Sequence, residues 1–144
     1  MRLTRMHPEC FMVDTTHGTN NERKELFTVA GKDGNNFAFN ACRCFIPNQQ
    51  QWVFNLLFSQ CLPIFFGKTI TSRINLLVTD GATTEYIPIL KIIGKNGPYP
   101  HCSHGLCYFH LVIQGWNKHV KPCVTQIVKE DLKKTSNCKP LDYG

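Results

Sequence analysis

Two aspartates close two short apolar runs of the same design, and no other residues in the chain are better suited to chemistry. Cys10-Phe11-Met12-Val13 leads into Asp14-Thr15-Thr16-His17-Gly18-Thr19-Asn20, and Leu76-Leu77-Val78-Thr79 leads into Asp80-Gly81-Ala82. Each apolar run reads as a buried strand that delivers a carboxylate to its exposed end. A carboxylate at the tip of a buried strand is costly unless something compensates it, and two such tips in one sheet can share a divalent cation. A metal site built from Asp14 and Asp80 is therefore the first expectation. The plainer alternative is that each acid caps a turn. His17, three residues beyond Asp14, could contact a phosphate or a metal-bound water, or make an ordinary hydrogen bond in its turn.

A second group of candidate ligands follows Pro100. His101, Cys102, His104, Cys107 and His110 crowd together, and His119 and Cys123 come soon after. Cys107-x2-His110 with His119-x3-Cys123 has the spacing of a zinc site. The residues between the two pairs are mainly apolar and helix-like rather than finger-like. Cys107 and His110 therefore read first as neighbours on one face of a helix start, packing the sheet or orienting the acids without metal, and zinc is the minor reading.

The elements that must position these residues follow from periodicity. Residues 1–8 have none and read as an N-terminal tail. After the first strand, Leu26 to Ala30 is a second, and Lys32-Asp33-Gly34-Asn35 has the Asp-Gly chemistry of a tight hairpin. A third strand carries Phe37, Phe39 and Ala41 in alternation with Ala38, Asn40, Cys42 and Cys44. Trp52, Val53, Leu56, Leu57 and Cys61 recur at helical spacing, and Pro63 and Gly67 end that helix. The Asp80 strand begins near Ile74. Thr83 or Thr84 then caps a helix through Tyr86, Ile87, Leu90 and Ile93, with Pro88 tolerable only near its first turn. A strand at Ser103 to Leu106 and a helix from Tyr108 to His119 complete the order β-β-β-α-β-α-β-α.

Length and composition allow one compact α/β domain: the chain has 144 residues, of which 42% are hydrophobic. A formal charge of +6 favours a polyanionic partner such as DNA. Cys10, Cys42, Cys44 and Cys61 sit in apolar runs and read as reduced core residues, with all eight cysteines expected as free thiols. No apolar run has the form of a signal peptide or reaches the roughly 18 residues of a membrane span, so an intracellular, soluble protein without a membrane partner is expected.

Taken in order, Asp14 to Asn20, the hairpin around Val29 to Gly34, the helix with Trp52, the Thr79-Asp80 pair, Tyr99-Pro100 and Cys107-Tyr108-Phe109-His110-Leu111 resemble the transposase domain of Mutator-like elements. The resemblance covers about residues 9 to 113, and the separation of the two acids, 80 minus 14 or 66, is similar to the family's. It implies a ribonuclease H-like mixed sheet, incomplete at its C-terminus, over residues 9–119, with 120–144 as a basic tail or the start of an insertion region. It implies a DDE-type transposase acting on transposon-end DNA in the nucleus, as a monomer or a homo-oligomer. Asp14 and Asp80 would be its first two acids, and Mg²⁺ or Mn²⁺ its cofactor.

The third acid is where the pattern departs. The family's glutamate follows a long helical insertion beyond the Cys-x-x-His motif, and this chain ends at Gly144 soon after that motif. Glu85 reads as too close to Asp80 to come from another strand or helix. Glu130, with Asp131 beside it, is the remaining weak candidate, in a Lys-rich run that reads as a solvated helix face. The expectation is a fragment of a transposase, without strand cleavage as it stands but binding DNA through Lys118, Lys121, Lys129, Lys133, Lys134 and Lys139. The alternatives are a catalytically dead, transposase-derived DNA-binding or regulatory protein, and a stand-alone nuclease of the same fold.

Overall fold

A computed structural model of the chain describes residues 2–114, 117 and 121–136. It divides into two units, Met1–Cys107 and Tyr108–Gly144. The first unit is a mixed α/β structure around one five-stranded sheet. In chain order its elements are α1 (Arg2–Met6), β1 (Cys10–Thr16), β2 (Glu25–Lys32), β3 (Ala38–Ile46), α2 (Gln51–Leu56), a π-helical turn (Leu57–Cys61), α3 (Leu62–Phe66), α4 (Lys68–Thr71), β4 (Leu76–Thr79), α5 (Thr83–Ile92) and β5 (Ser103–Leu106). The second unit contains a π-helical segment (Phe109–Gln114) and helix α6 (Lys121–Ser136). The expected helix from Tyr108 onward is thus present through Gln114, and its end at His119 lies outside the described residues.

The strands lie in the order β3-β2-β1-β4-β5. β1, β2 and β3 form an antiparallel ribbon, whereas β4 pairs parallel to both β1 and β5. Alternation along β1 buries Phe11 and Val13 on one face of the sheet, and Phe27, Val29 and Leu77 join them from neighbouring strands. Phe54, Phe58, Leu62 and Phe66 cover that face from the helical stretch, and Ile89 comes from α5. Phe27 sits with its ring centroid 6.2 Å from Phe54 and 6.0 Å from Phe58. Each such ring contributes about 1.5–3 kcal/mol by leaving water.

Several elements differ from the periodicity reading. Within the expected tail, Arg2–Met6 forms α1, which buries Thr4, and Arg73 reaches back to the Arg5 carbonyl at 3.0 Å and to the Glu9 carboxylate at 2.8 Å. The β2–β3 connection is longer than a two-residue Asp-Gly turn. Asp33 Oδ1 accepts from the backbone N–H of both Asn35 and Phe37, and Asn36, not Gly34, takes the left-handed conformation at φ 68°. The β2–β3 register slips between Val29 and Ala30 of β2, where Ala41 is the extra residue of β3; Ala41 is buried and Cys44 is exposed.

In the helix after Pro47, Val53 and Leu57 of the expected face are buried together with Phe54 and Phe58, whereas Trp52, Leu56 and Cys61 are exposed. Pro63 does not end this helix; it stands in the first turn of α3, and Gly67 is the terminator. The Leu62 N–H bonds to the Leu57 carbonyl, five residues back. The N–H that would next serve the Phe58 carbonyl belongs to Pro63, which has none. The buried Tyr99 hydroxyl supplies the missing donor at 3.0 Å. Of the cysteines read as core, Cys10, Cys44 and Cys61 are exposed and Cys42 is half-buried; Cys102 is the buried one, and the described residues contain no disulfide.

Candidate functional site

The fold brings Asp14 and Asp80 to the same end of two neighbouring strands. β1 and β4 are adjacent and parallel, with Cys10 opposite Leu76, Phe11 opposite Leu77 and Met12 opposite Val78. That offset is 66, and 80 minus 14 is also 66, so continuing the register sets Asp80 level with Asp14, one residue past the end of β4. Both aspartates are exposed. Asp14 shares its sheet face with Met12, opposite to the core face that carries Val13 and Thr15.

The turn after β4 is built by its own side chains. Gly81 takes φ 94°, a conformation that favours glycine, and so lets the chain leave the sheet at once. Asp80 Oδ1 accepts the Ala82 N–H at 2.8 Å, so Asp80 does cap a turn, using one of its two oxygens. Thr79 Oγ1 accepts the Gly81 N–H at 3.3 Å and meets His104 Nε2 at 3.0 Å. The His104 ring stacks on Tyr86 with centroids 5.8 Å apart, and burial lowers its pKa. Helix α5 therefore starts at Thr83 with Ala82 as its N-cap residue, and neither Thr83 nor Thr84 serves as a side-chain cap. Pro88 stands inside α5 beyond its first turn, and it is buried.

Glu85, which the spacing argument set aside as too close to Asp80 to come from another element, stands on helix α5. It does come from a helix: the first turn of α5 folds back over the strand ends, and Thr15 Oγ1 donates to Glu85 Oε1 at 2.9 Å. The side chain is buried and its Oε2 has no hydrogen-bond partner. Burial pushes its pKa up from 4.5 to about 7, the Thr15 hydroxyl opposes the rise, and the charges of Asp80 and Asp14 add to it. Among the described residues no ion pair involves Asp14, Asp80 or Glu85. The available signal was an acid in the first turn of a helix that starts directly after the strand, since one helical turn spans about 5.4 Å, comparable to the strand spacing.

The remaining candidates are placed as follows. His17 Nδ1 pairs with Glu25 Oε2 at 2.7 Å, and Gln49 Nε2 meets His17 Nε2 at 3.0 Å and Glu25 at 3.3 Å, so the imidazole is held in its own turn. The Cys107 N–H bonds to the Thr79 carbonyl at 2.7 Å and extends the β4–β5 ladder. His110 belongs to the second unit, where its Nδ1 is buried without a hydrogen-bond partner. Glu130 lies exposed on α6, its Oε1 accepting from Gln126 at 3.0 Å. Of the other zinc candidates, Cys102 is in the core with its Sγ donating to the Ser103 carbonyl, His104 is bound to Thr79, and His119 lies outside the described residues. Among the described residues no three His, Cys, Asp or Glu side chains are gathered into a ready metal-binding group.

The donors at the strand ends nevertheless suit a hard cation. They are carboxylate oxygens, they carry no compensating positive charge, and one buried oxygen, Glu85 Oε2, has nothing to bond to. Among the described residues no helix is long and apolar enough to cross a membrane. No curated protein and no solved structure matches the chain. The family model of the MULE transposase domain matches residues 10–114, which include both register-matched aspartates, the α5 glutamate and the Cys107-x2-His110 motif. The chain belongs to the MULE transposase family.

Proposed function

We propose that this domain performs metal-dependent phosphoryl transfer on DNA, as the catalytic part of a DDE-type transposase with Asp14 and Asp80 holding a divalent cation. The observation that supports the proposal is the parallel pairing of β1 with β4, whose register, carried one residue past the end of β4, would set Asp80 opposite Asp14. The strand order β3-β2-β1-β4-β5, with an antiparallel ribbon on one side and parallel pairing on the other, supports a ribonuclease H-like sheet. Mg²⁺ or Mn²⁺ suits these oxygen donors. When bound, such an ion lowers the pKa of a water or DNA hydroxyl and neutralises charge on the leaving oxygen. The chain itself fixes the carboxylates: the β1–β2 ladder holds Asp14 opposite Thr28, and the Ala82 N–H orients Asp80. Lys121 and Lys129 are exposed on α6 and offer phosphate contacts, in keeping with a formal charge of +6.

The test is cleavage of DNA carrying the element's terminal sequences by the protein as its gene encodes it. Asp14→Asn and Asp80→Asn should each lower strand cleavage on the order of a hundredfold or more while leaving DNA affinity unchanged. Cleavage that survives both substitutions contradicts the proposal. A second reading, a transposase-derived DNA-binding protein without catalysis, draws support from the absence of a ready three-residue metal group among the described residues. It is favoured if the unsubstituted protein binds the same DNA and cleaves none of it with either ion.

A further inference from the structure

We propose that Cys44 and Cys61 form an oxidation site, joined by a disulfide when a hydroperoxide acts on the chain. Cys42 and Cys44 stand opposite Val29 and Phe27 in the β2–β3 register. Residues paired across strands share a sheet face, so both cysteines lie on the face that Val29 and Phe27 bury beneath the helices. Cys61 comes to that face from the π-helical turn. The three cysteines, with Leu57, Leu62 and Phe65, line a cavity of about 360 Å³ between the helical stretch and β3, the edge strand of the sheet. Neither aspartate lines it, so the proposed phosphoryl transfer makes no use of these thiols.

Their surroundings single out one pair. Three thiols in a cavity could suit a soft metal, but these are not gathered into a metal-binding group. A disulfide asks for only one pair. Cys42 is half-buried, its sulfur accepts from the Val29 backbone, and burial pushes its pKa up to about 11, which keeps it a thiol. Cys44 and Cys61 are exposed, so an oxidant reaches both, and they face one cavity closely enough for the charge of Cys61 to act on Cys44. β3 has no strand on its far side to oppose a small shift, which lets the two Cα atoms come within the roughly 4.4–6.8 Å that a disulfide spans. In the oxidation one thiol takes an oxygen from the hydroperoxide and becomes a sulfenic acid, as the O–O bond breaks. The second sulfur then attacks the first and displaces its hydroxyl. With hydrogen peroxide, two electrons and two protons leave the thiols and two molecules of water are formed.

The experiment is peptide mapping of the full chain, purified reduced, treated with hydrogen peroxide, alkylated and digested without reductant. Mass spectrometry should find a linked pair of peptides carrying Cys44 and Cys61, separated by dithiothreitol, from protein that still runs as a monomer on a denaturing, non-reducing gel. The bridge closes a span of 17 residues, 61 minus 44, and should raise the urea midpoint of the oxidised chain above that of the reduced chain. Cys44→Ser and Cys61→Ser should each abolish that rise, and Cys42→Ser should keep it. Mapping of the unsubstituted chain decides the matter even where a serine variant fails to fold. Recovery of Cys44 and Cys61 on separate peptides, alkylated or oxidised to sulfinic acids, overturns the proposal. So does a bridge from Cys61 to Cys42 in place of Cys44, or links formed only between chains.

Discussion

Replacing Glu85 with glutamine should change how stability depends on pH. Glu85 is buried, and its pKa is pushed from 4.5 to about 7, first by burial and then by the charges of Asp80 and Asp14, against the Thr15 hydroxyl bond. The folded chain therefore holds this proton more tightly than the unfolded chain. The stability this supplies is complete below about pH 4.5 and is lost as the pH rises to about 7. At about 1.4 kcal/mol per pH unit, the rise from 4.5 to about 7 corresponds to roughly 3 kcal/mol. Glutamine cannot ionise, so its variant lacks this slope. It instead leaves an amide N–H unpaired at every pH, at a constant cost of about 1–3 kcal/mol. Urea unfolding followed by circular dichroism should thus find Glu85→Gln less stable than the unsubstituted chain near pH 4.5. The gap should close or reverse by about pH 8, a relative change of roughly 3 kcal/mol. Parallel stability curves across that range would refute the placement of Glu85 as a buried, proton-holding acid.

Three further outcomes follow from the packing. Tyr99→Phe removes the one donor to the Phe58 carbonyl, whose helical donor is missing at Pro63, and should cost about 1–3 kcal/mol in the same unfolding assay. Gly97→Ala places a Cβ 1.8 Å from the Ile92 carbonyl oxygen, a backbone atom that cannot step aside, and should displace the loop before Tyr99 and lower the melting temperature by more than Tyr99→Phe does. In thiol labelling of the folded chain at neutral pH, Cys10, Cys44 and Cys61 should react readily. Cys102 is buried and has its pKa pushed up to about 11, so it should react only on unfolding.

The sheet was legible where apolar runs stop abruptly at polar breakers. Cys10 to Val13 and Leu76 to Thr79 announce β1 and β4, and the identical spacing of their acids and their register is one fact seen twice. Ser103–Leu106 was found because prolines and glycines isolate it. Helix α1 was not legible, because five residues are too few to show a period and what holds them is Arg73, far along the chain. In the helix after Pro47 the buried stripe runs through Val53, Phe54, Leu57 and Phe58, so Trp52 and Leu56, apolar but one position to its side, were read as core although they are exposed. The contact of Glu85 with Thr15 was not legible, because distance along the sequence was taken for distance in space. A helix that starts within three residues of a strand end carries its first turn back across the sheet, and a residue five positions on can then reach the neighbouring strand.

The most direct measurement is anomalous diffraction from crystals of this chain soaked with Mn²⁺. A manganese peak within about 2.0–2.3 Å of carboxylate oxygens from both Asp14 and Asp80 is the predicted result. A fully soaked crystal with no peak between those two side chains, or with manganese bound only elsewhere, would contradict the cation site on which the proposed transposase chemistry rests.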